Sequence, residues 1–301
     1  MKNSFVLILI AITLLYSCNS NQSTKESSTE LAEISESETM LRLEKIWETD
    51  TLLTTSESVF YNVNADLLYV SNINGQPLEK DGNGFIAQVD LDGNIINQNW
   101  VVGLDAPKGM GLLGDKLYIT DISQLVEIDI NSAQITNRWE VEGAKFLNDI
   151  TIDEAGTVYF SDSGTNKIHQ LMNGVVSTYL EGSSLASPNG LLNEKGRIML
   201  TTMGGRNFGY IDKGIVEYKV KTDSIGDGDG VVADGDGHYL ISDWSGEIFH
   251  INGETWEKTS LLKTKQDTIQ SADIEFVVKS QLLFVPTFFK NTVVAYRLIE
   301  E

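Results

Sequence analysis

Leu117-Tyr118-Ile119-Thr120-Asp121 is a short apolar run that ends on a hydroxyl and a carboxylate. The pattern returns at Leu68-Tyr69-Val70-Ser71-Asn72, Val158-Tyr159-Phe160-Ser161-Asp162 and Ile198-Met199-Leu200-Thr201-Thr202. It returns again at Tyr239-Leu240-Ile241-Ser242-Asp243 and Leu283-Phe284-Val285-Pro286-Thr287. Successive copies lie about 40 to 49 residues apart, the spacing of propeller blades or solenoid turns. Each run is rich in β-branched and aromatic residues and is bounded by Gly, Asn and Asp, so each reads as a strand. One such strand per repeat predicts an all-β chain, a six-bladed β-propeller.

A second strand precedes each run by about 10 to 12 residues, across a hairpin turn such as Leu113-Gly114-Asp115 or Asp234-Gly235-Asp236-Gly237. At the start of these upstream strands the aligned residues are Glu57, Lys108, Asn148, Asn189, Asp229 and Asp273. The first strand of a propeller blade lines the central channel. The six residues are therefore expected to ring one mouth of that channel. Carboxylate and amide oxygens from different blades are the donors a hard cation such as calcium takes. Glu57, Asn189 and Asp229 are the expected metal ligands, since one ion between them would offset like charges held close together. A substrate carbonyl or phosphoryl oxygen bound to such an ion would be polarised. A neighbouring carboxylate, Asp229 or Asp273, would then deprotonate water, and Asn148 would ligate the ion or hold the substrate oxygen.

The second strands end at the same mouth, so Asn72, Asp121, Asp162 and Asp243 approach it, although Asx side chains there also cap their own turns. Two longer connections overhang this mouth, at about 73–84 and 203–214. Arg206, Phe208 and Tyr210 in the second are candidates for substrate contact, with Trp244 beside them. Leu41-Arg42-Leu43-Glu44-Lys45-Ile46-Trp47 alternates with a strand period. The last blade shows only three strands, so this N-terminal strand is expected to supply its fourth and close the ring.

The chain carries 43 acidic and 22 basic residues, a net charge of −21. Such a balance argues against nucleic acid. Residues 1–17 read as a signal peptide with Lys2 and a short apolar run. Leu15-Tyr16-Ser17-Cys18 resembles a bacterial lipoprotein signal, with Cys18 as the lipidated residue. Residues 18–40 read as a tether poor in apolar side chains, and 41–301 as the propeller. The expectation is a monomeric cell-envelope protein of a bacterium, held to the membrane only through Cys18. One cysteine excludes an intrachain disulfide. The chain contains neither a Gly-x-Ser-x-Gly elbow nor a His-Glu-x-x-His motif. His169, His238 and His250 stand in or beside strands, away from the channel.

Leu147-Asn148-Asp149-Ile150, Ser187-Pro188-Asn189-Gly190-Leu191 and Asp229-Gly230-Val231, in this order and with Glu57 ahead of them, resemble the regucalcin/gluconolactonase family. They resemble the paraoxonase and bacterial lactonase propellers more loosely. The resemblance covers all six blades. It implies hydrolysis of a sugar lactone or related ester with calcium, zinc or manganese. It also implies Glu57, Asn189 and Asp229 as metal ligands, Asn148 near substrate and Asp229 as the base. Phe146 stands where the sugar-lactone enzymes usually carry arginine, Ser58-Val59 replaces their Gly-Pro, and Lys108 adds a cation to the ring. A non-catalytic propeller that binds a ligand or protein, like the NHL-repeat propellers, is the alternative.

Overall fold

Each copy of the repeat is the second strand of a four-stranded antiparallel sheet. The computed structural model describes residues 40–221 and 225–301, which form six such sheets. The inner strands are Ser56–Asn62, Pro107–Leu113, Leu147–Ile152, Pro188–Glu194, Gly228–Ala233 and Glu275–Val277. The second strands are Leu67–Asn72, Lys116–Asp121, Val158–Asp162, Arg197–Thr202, Tyr239–Asp243 and Leu282–Pro286. Each inner strand packs beside the next, and the sixth packs beside the first, so the sheets form a closed six-bladed propeller. The readings of residues 1–17, of Cys18 and of the tether fall outside the described residues. Among the described residues no helix is long and apolar enough to cross a membrane.

Burial explains why the blades stack. Six apolar clusters fill the six interfaces between neighbouring blades. Between blades one and two, for example, Tyr69, Ile86, Leu117 and Ile119 pack together, and Trp100 stacks on Tyr69 at 4.6 Å between centroids. Each buried aliphatic or aromatic side chain contributes roughly 1.5 to 3 kcal/mol.

The ring closes through the N-terminal strand. Leu41–Glu48 pairs antiparallel with Val293–Glu300, the third strand of blade six, and so forms its outermost strand. Leu41 lies opposite Glu300 and Glu48 opposite Val294. Because Val293–Glu300 runs away from the mouth, Leu41 lies at the opposite face. Blade six is thus built from both ends of the chain, and the edge of Val293–Glu300 is covered by Leu41–Glu48.

Candidate functional site

The hydroxyl that ends each repeat has a structural task. Ser71, Ser161, Thr201 and Ser242 each accept, on the side-chain oxygen, a backbone N–H from the inner strand of their own blade: those of Ser58, Asp149, Gly190 and Gly230, at 2.8–2.9 Å. Thr201 and Ser242 also donate to a carbonyl of the next blade, Asp229 O at 2.5 Å and Ala272 O at 2.7 Å. Thr120 donates likewise to Asn148 O. The register of the inner strand shifts where these bonds form, between Ser56 and Ser58, Pro107 and Met110, Leu147 and Ile150, Pro188 and Leu191, and Gly228 and Val231. A bulge re-aims side chains out of the sheet. Glu57, Lys108, Asn148, Asn189 and Asp229 lie within these bulges.

The sixth position of this ring is Ala272, not Asp273. Ala272 O receives the hydroxyl of Ser242 as Asp229 O receives that of Thr201. Asp273 belongs to the next tier, with Ser58, Gly109, Asp149, Gly190 and Gly230. A Cβ on Gly230 would meet Asp273 Oδ1 at 2.5 Å, and one on Gly109 would meet Asp149 Oδ1 at 2.6 Å. Hairpins of unequal length hid this one-residue offset. In blade six the hairpin carries a 3-10 turn, Val278–Ser280.

Below the ring the channel holds a cavity of about 260 Å³, lined in part by Ser58, Asp149, Thr151, Asp273 and Glu275. Asp149 bridges two blades: its Oδ1 accepts Ile150 N–H and its Oδ2 accepts Leu191 N–H, both at 2.6 Å. Asp273 Oδ2 accepts the Ser58 hydroxyl at 2.6 Å. Burial raises the Asp273 carboxyl to about 7, against the Ser58 bond that lowers it. Burial first, then the charges of Asp273 and Asp229, raises Asp149 well above the carboxylate range. Glu57 is raised by burial and by Asp229, with Lys108 opposing. Asp229 is raised by burial and Asp273, while the Asn189 amide lowers it. With Glu275, also raised by burial to about 7, five carboxyls crowd one channel.

Lys108 does not pair with Glu57 or Asp149 by direct contact. Its ammonium donates to the carbonyls of Pro77 at 3.1 Å and Ala106 at 2.9 Å, and lies 4.9 Å from the centroid of Phe146. Burial lowers its pKa, and the carboxylates of Glu57 and Asp121 oppose that.

The atoms left unsatisfied test whether the ring suits a divalent cation. Glu57 Oε2 and Asn189 Oδ1 are buried and make no hydrogen bond. Asn72 Oδ1, at the end of the second strand of blade one, is in the same state. Asn189 Nδ2 donates to Asp229 Oδ1 at 3.0 Å, which commits the amide nitrogen and leaves its oxygen bare. Buried oxygens without a donor are costly, and carboxylate and amide oxygens are hard-cation ligands. Among the described residues no three carboxylates, histidines or cysteines are placed as a metal-binding group by themselves. The chemistry of the donors, two carboxylates and one amide oxygen with bare buried atoms among them, is of the kind a hard cation takes.

The fold is shared with solved lactonase and lyase propellers. A gluconolactonase from Xanthomonas campestris superposes with a TM-score of 0.65 at 15% identity, over 86% of this chain and 90% of that one. A streptogramin B lyase gives 0.62 at 12% identity, over 87% and 98%. A catalytically inactive virginiamycin B lyase from Staphylococcus aureus, crystallised with quinupristin, gives 0.60 at 13% identity, over 87% and 100%. No family model matches the chain, and no curated protein matches it by sequence.

Around the mouth the predicted contacts separate. Asn148 is buried at the ring. Arg206 stands on the rim in the 203–207 connection, its Nε 3.7 Å from Asp227 Oδ1. Phe208 is not a rim residue: it begins the third strand of blade four and is fully buried, 5.3 Å from Tyr239 and 6.0 Å from Trp256 between centroids. Tyr210 lies further along that strand, donating to Glu217 at 2.7 Å. Asp121, Asp162 and Asp243 hold loop backbone: Ala106 N–H at 2.7 Å, Phe146 N–H at 3.1 Å and Asp227 N–H at 3.1 Å. His169 and His250 face Asp162 and Asp234, off the channel.

Asp149 is the site residue that sequence reading missed. Its signal was present, an acid where the equivalent positions of blades two, four and five hold glycine.

Proposed function

We propose that this propeller is a divalent-cation-dependent hydrolase of a lactone or related ester, acting at the ring of Glu57, Asn189 and Asp229. The observation that carries the reading is the pair of buried oxygens without donors, Glu57 Oε2 and Asn189 Oδ1, beside carboxyls whose pKa is raised by burial and by neighbouring carboxylates. Calcium suits this all-oxygen set, with zinc or manganese as alternatives, and when bound it would supply Lewis-acid polarisation of the substrate carbonyl. The fold shared with a gluconolactonase supports the reaction class.

The chain's own residues divide the remaining work. Asn148 offers an amide N–H to the substrate oxygen. Asp229, held by Asn189 through one carboxylate oxygen, takes a proton from water as the water oxygen adds to the carbonyl carbon. It returns that proton to the alkoxide when the ester C–O bond breaks. One water is consumed, and a lactone yields a hydroxy acid. Asp273, one tier below and fixed by Ser58, is raised by burial to about 7 and can exchange a proton near neutral pH. Arg206 on the rim contacts the distal part of the substrate. The Leu-x-Ser-Cys pattern supports placement in a bacterial cell envelope, anchored through Cys18 and active on a small molecule.

Melting temperature with calcium and with chelator tests the metal. A ligand that binds only the folded state raises the melting point by mass action. The expected result is a calcium-dependent rise, lost in Asp229→Ala, together with turnover in a lactone and ester screen that the same variant abolishes. No shift with calcium, zinc or manganese, and no turnover, would leave a non-catalytic ligand-binding propeller.

A further inference from the structure

The mouth carries an apolar cluster to which blades one, two, five and six contribute. The ring position in this cluster is Ala272, and above it Phe288 is buried with Ile73, Ala106 and Ile122. Phe288 forms a backbone bridge with Ser56, the residue before Glu57, so this apolar ground borders a proposed ligand. Trp244 and Phe289 complete it. Trp244 meets Phe288 at 5.5 Å and Phe289 at 6.3 Å, and the two phenylalanines meet at 4.7 Å, all edge to face.

Phe289 is 56% exposed although it sits on a fixed hairpin. Thr287 N–H and its hydroxyl both donate to Thr292 O at 2.9 Å, and Asn291 Oδ1 accepts Thr55 N–H at 2.8 Å. Phe288 itself adopts a left-handed backbone, φ 51°, which is uncommon for a bulky residue. Strain of this kind persists where the surroundings enforce it, and it accumulates at ligand sites. The hairpin thus holds an aromatic ring in water beside a polar channel.

Four charged groups near the mouth that could meet a polyhydroxylated substrate are committed to backbone. Asp121, Asp162 and Asp243 bind loop N–H groups. The Lys108 ammonium is turned to two carbonyls and shielded by Phe146.

We propose that the mouth takes lactones or esters bearing an apolar alkyl or aryl group next to the carbonyl-bearing ring, seated on the exposed edges of Trp244 and Phe289. The substrate class rests on the hydrolytic reading of the ring, whereas the apolar seat can be tested without turnover. Cyclopentanone and 2-hexylcyclopentanone, which keep a lactone's carbonyl and cannot be hydrolysed, are titrated into the full chain with calcium and followed by tryptophan fluorescence. Each seated methylene strengthens binding about three- to fourfold. The hexyl ketone is expected to bind at least tenfold more tightly. Phe289→Ser should cut that ratio below threefold while Phe289→Leu restores most of it, and Trp244→Phe should remove most of the fluorescence change. Equal binding of the two ketones, or an unchanged ratio in Phe289→Ser, overturns the seat. In parallel, γ-butyrolactone and its hexyl homologue are assayed for hydrolysis. Turnover of both at equal kcat/KM overturns the apolar preference and leaves the hydrolytic reading standing. A tenfold ketone preference with no turnover of any lactone or ester supports the seat and overturns hydrolysis.

Discussion

Asn189 has only one way to serve its surroundings: its nitrogen is spent on Asp229, so its oxygen can be satisfied only by a group not supplied by the chain. Glu57 Oε2 is in the same position, and its charge is opposed by burial and by Asp229. Neutralising Glu57 should therefore help the cation-free protein. We expect Glu57→Gln to raise stability by about 1 to 2 kcal/mol at pH 8 in chelator, since the raised pKa marks a charge that folding disfavours. The same variant should lose the calcium-induced rise in melting temperature. Paired thermal melts read both effects, and a destabilised Glu57→Gln in chelator would mean that the ring is satisfied without an ion. At this scale sequence reading located Glu57, Asn148, Asn189 and Asp229 on inner strands but misplaced Asp273 by one residue, because side chains were aligned by counting across hairpins of unequal length. Phe208 was misread for another reason. Gly204, Gly205 and Gly209 suggested a loop, yet Gly209 is a strand residue whose Cβ would lie 2.0 Å from Glu217 O. A glycine admitting a close backbone and a glycine turning a loop look alike in a sequence.

The repeat was legible because one element serves the same two purposes in nearly every blade. Its apolar residues fill the interface between blades, and its terminal hydroxyl ties the inner-strand bulge, in three blades binding the next blade as well. The hydroxyl was visible in the sequence; the bulge it stabilises was not, since a register shift leaves no compositional mark. Ser242→Ala would strip a partner from Gly230 N–H and from Ala272 O, both buried. Losing such bonds should cost about 1 to 3 kcal/mol, measurable by urea titration. Pro286 shows that the tie can be absent in one blade, so a loss under 0.5 kcal/mol at Ser242 would make the ties dispensable elsewhere. The closing strand is a stricter requirement. Removing residues up to Glu48 exposes the edge of Val293–Glu300 and uncovers Phe284, on which Trp47 packs at 5.5 Å. That truncation should yield aggregated or partly unfolded protein by light scattering and circular dichroism, because an open apolar edge invites further strands. A monomeric truncation with unchanged melting would show that the last blade stands on three strands.

Over the whole molecule the acidic balance and the channel carboxyls act in one direction with pH. Asp273 and Glu275 are both raised to about 7 by burial, Asp273 against the Ser58 bond and Glu275 against the N–H groups of Tyr61 and Phe276. Between their unfolded values and about pH 7 the folded state binds protons that the unfolded state has released. Stability must then fall as pH rises through this window, by on the order of 1 kcal/mol per pH unit for each group. The net charge of −21 adds self-repulsion as remaining acids ionise. In chelator the melting temperature should drop from pH 5 to pH 8, and calcium should flatten the slope. A melting temperature that climbs across this range without metal would show that these carboxyls are ionised in the folded state.

The direction of the closing strand sets how the protein meets a surface. Leu41 lies at the face opposite the ring, where it pairs with Glu300. The described chain therefore begins on the face opposite the channel mouth, so a linker joined at residue 40 starts away from the ring. Coupling to a bead or sensor chip through an N-terminal linker leaves the mouth unobstructed, and a C-terminal linker leaves from the same rear face. The point of departure of both chain ends is thereby written into the order of the strands.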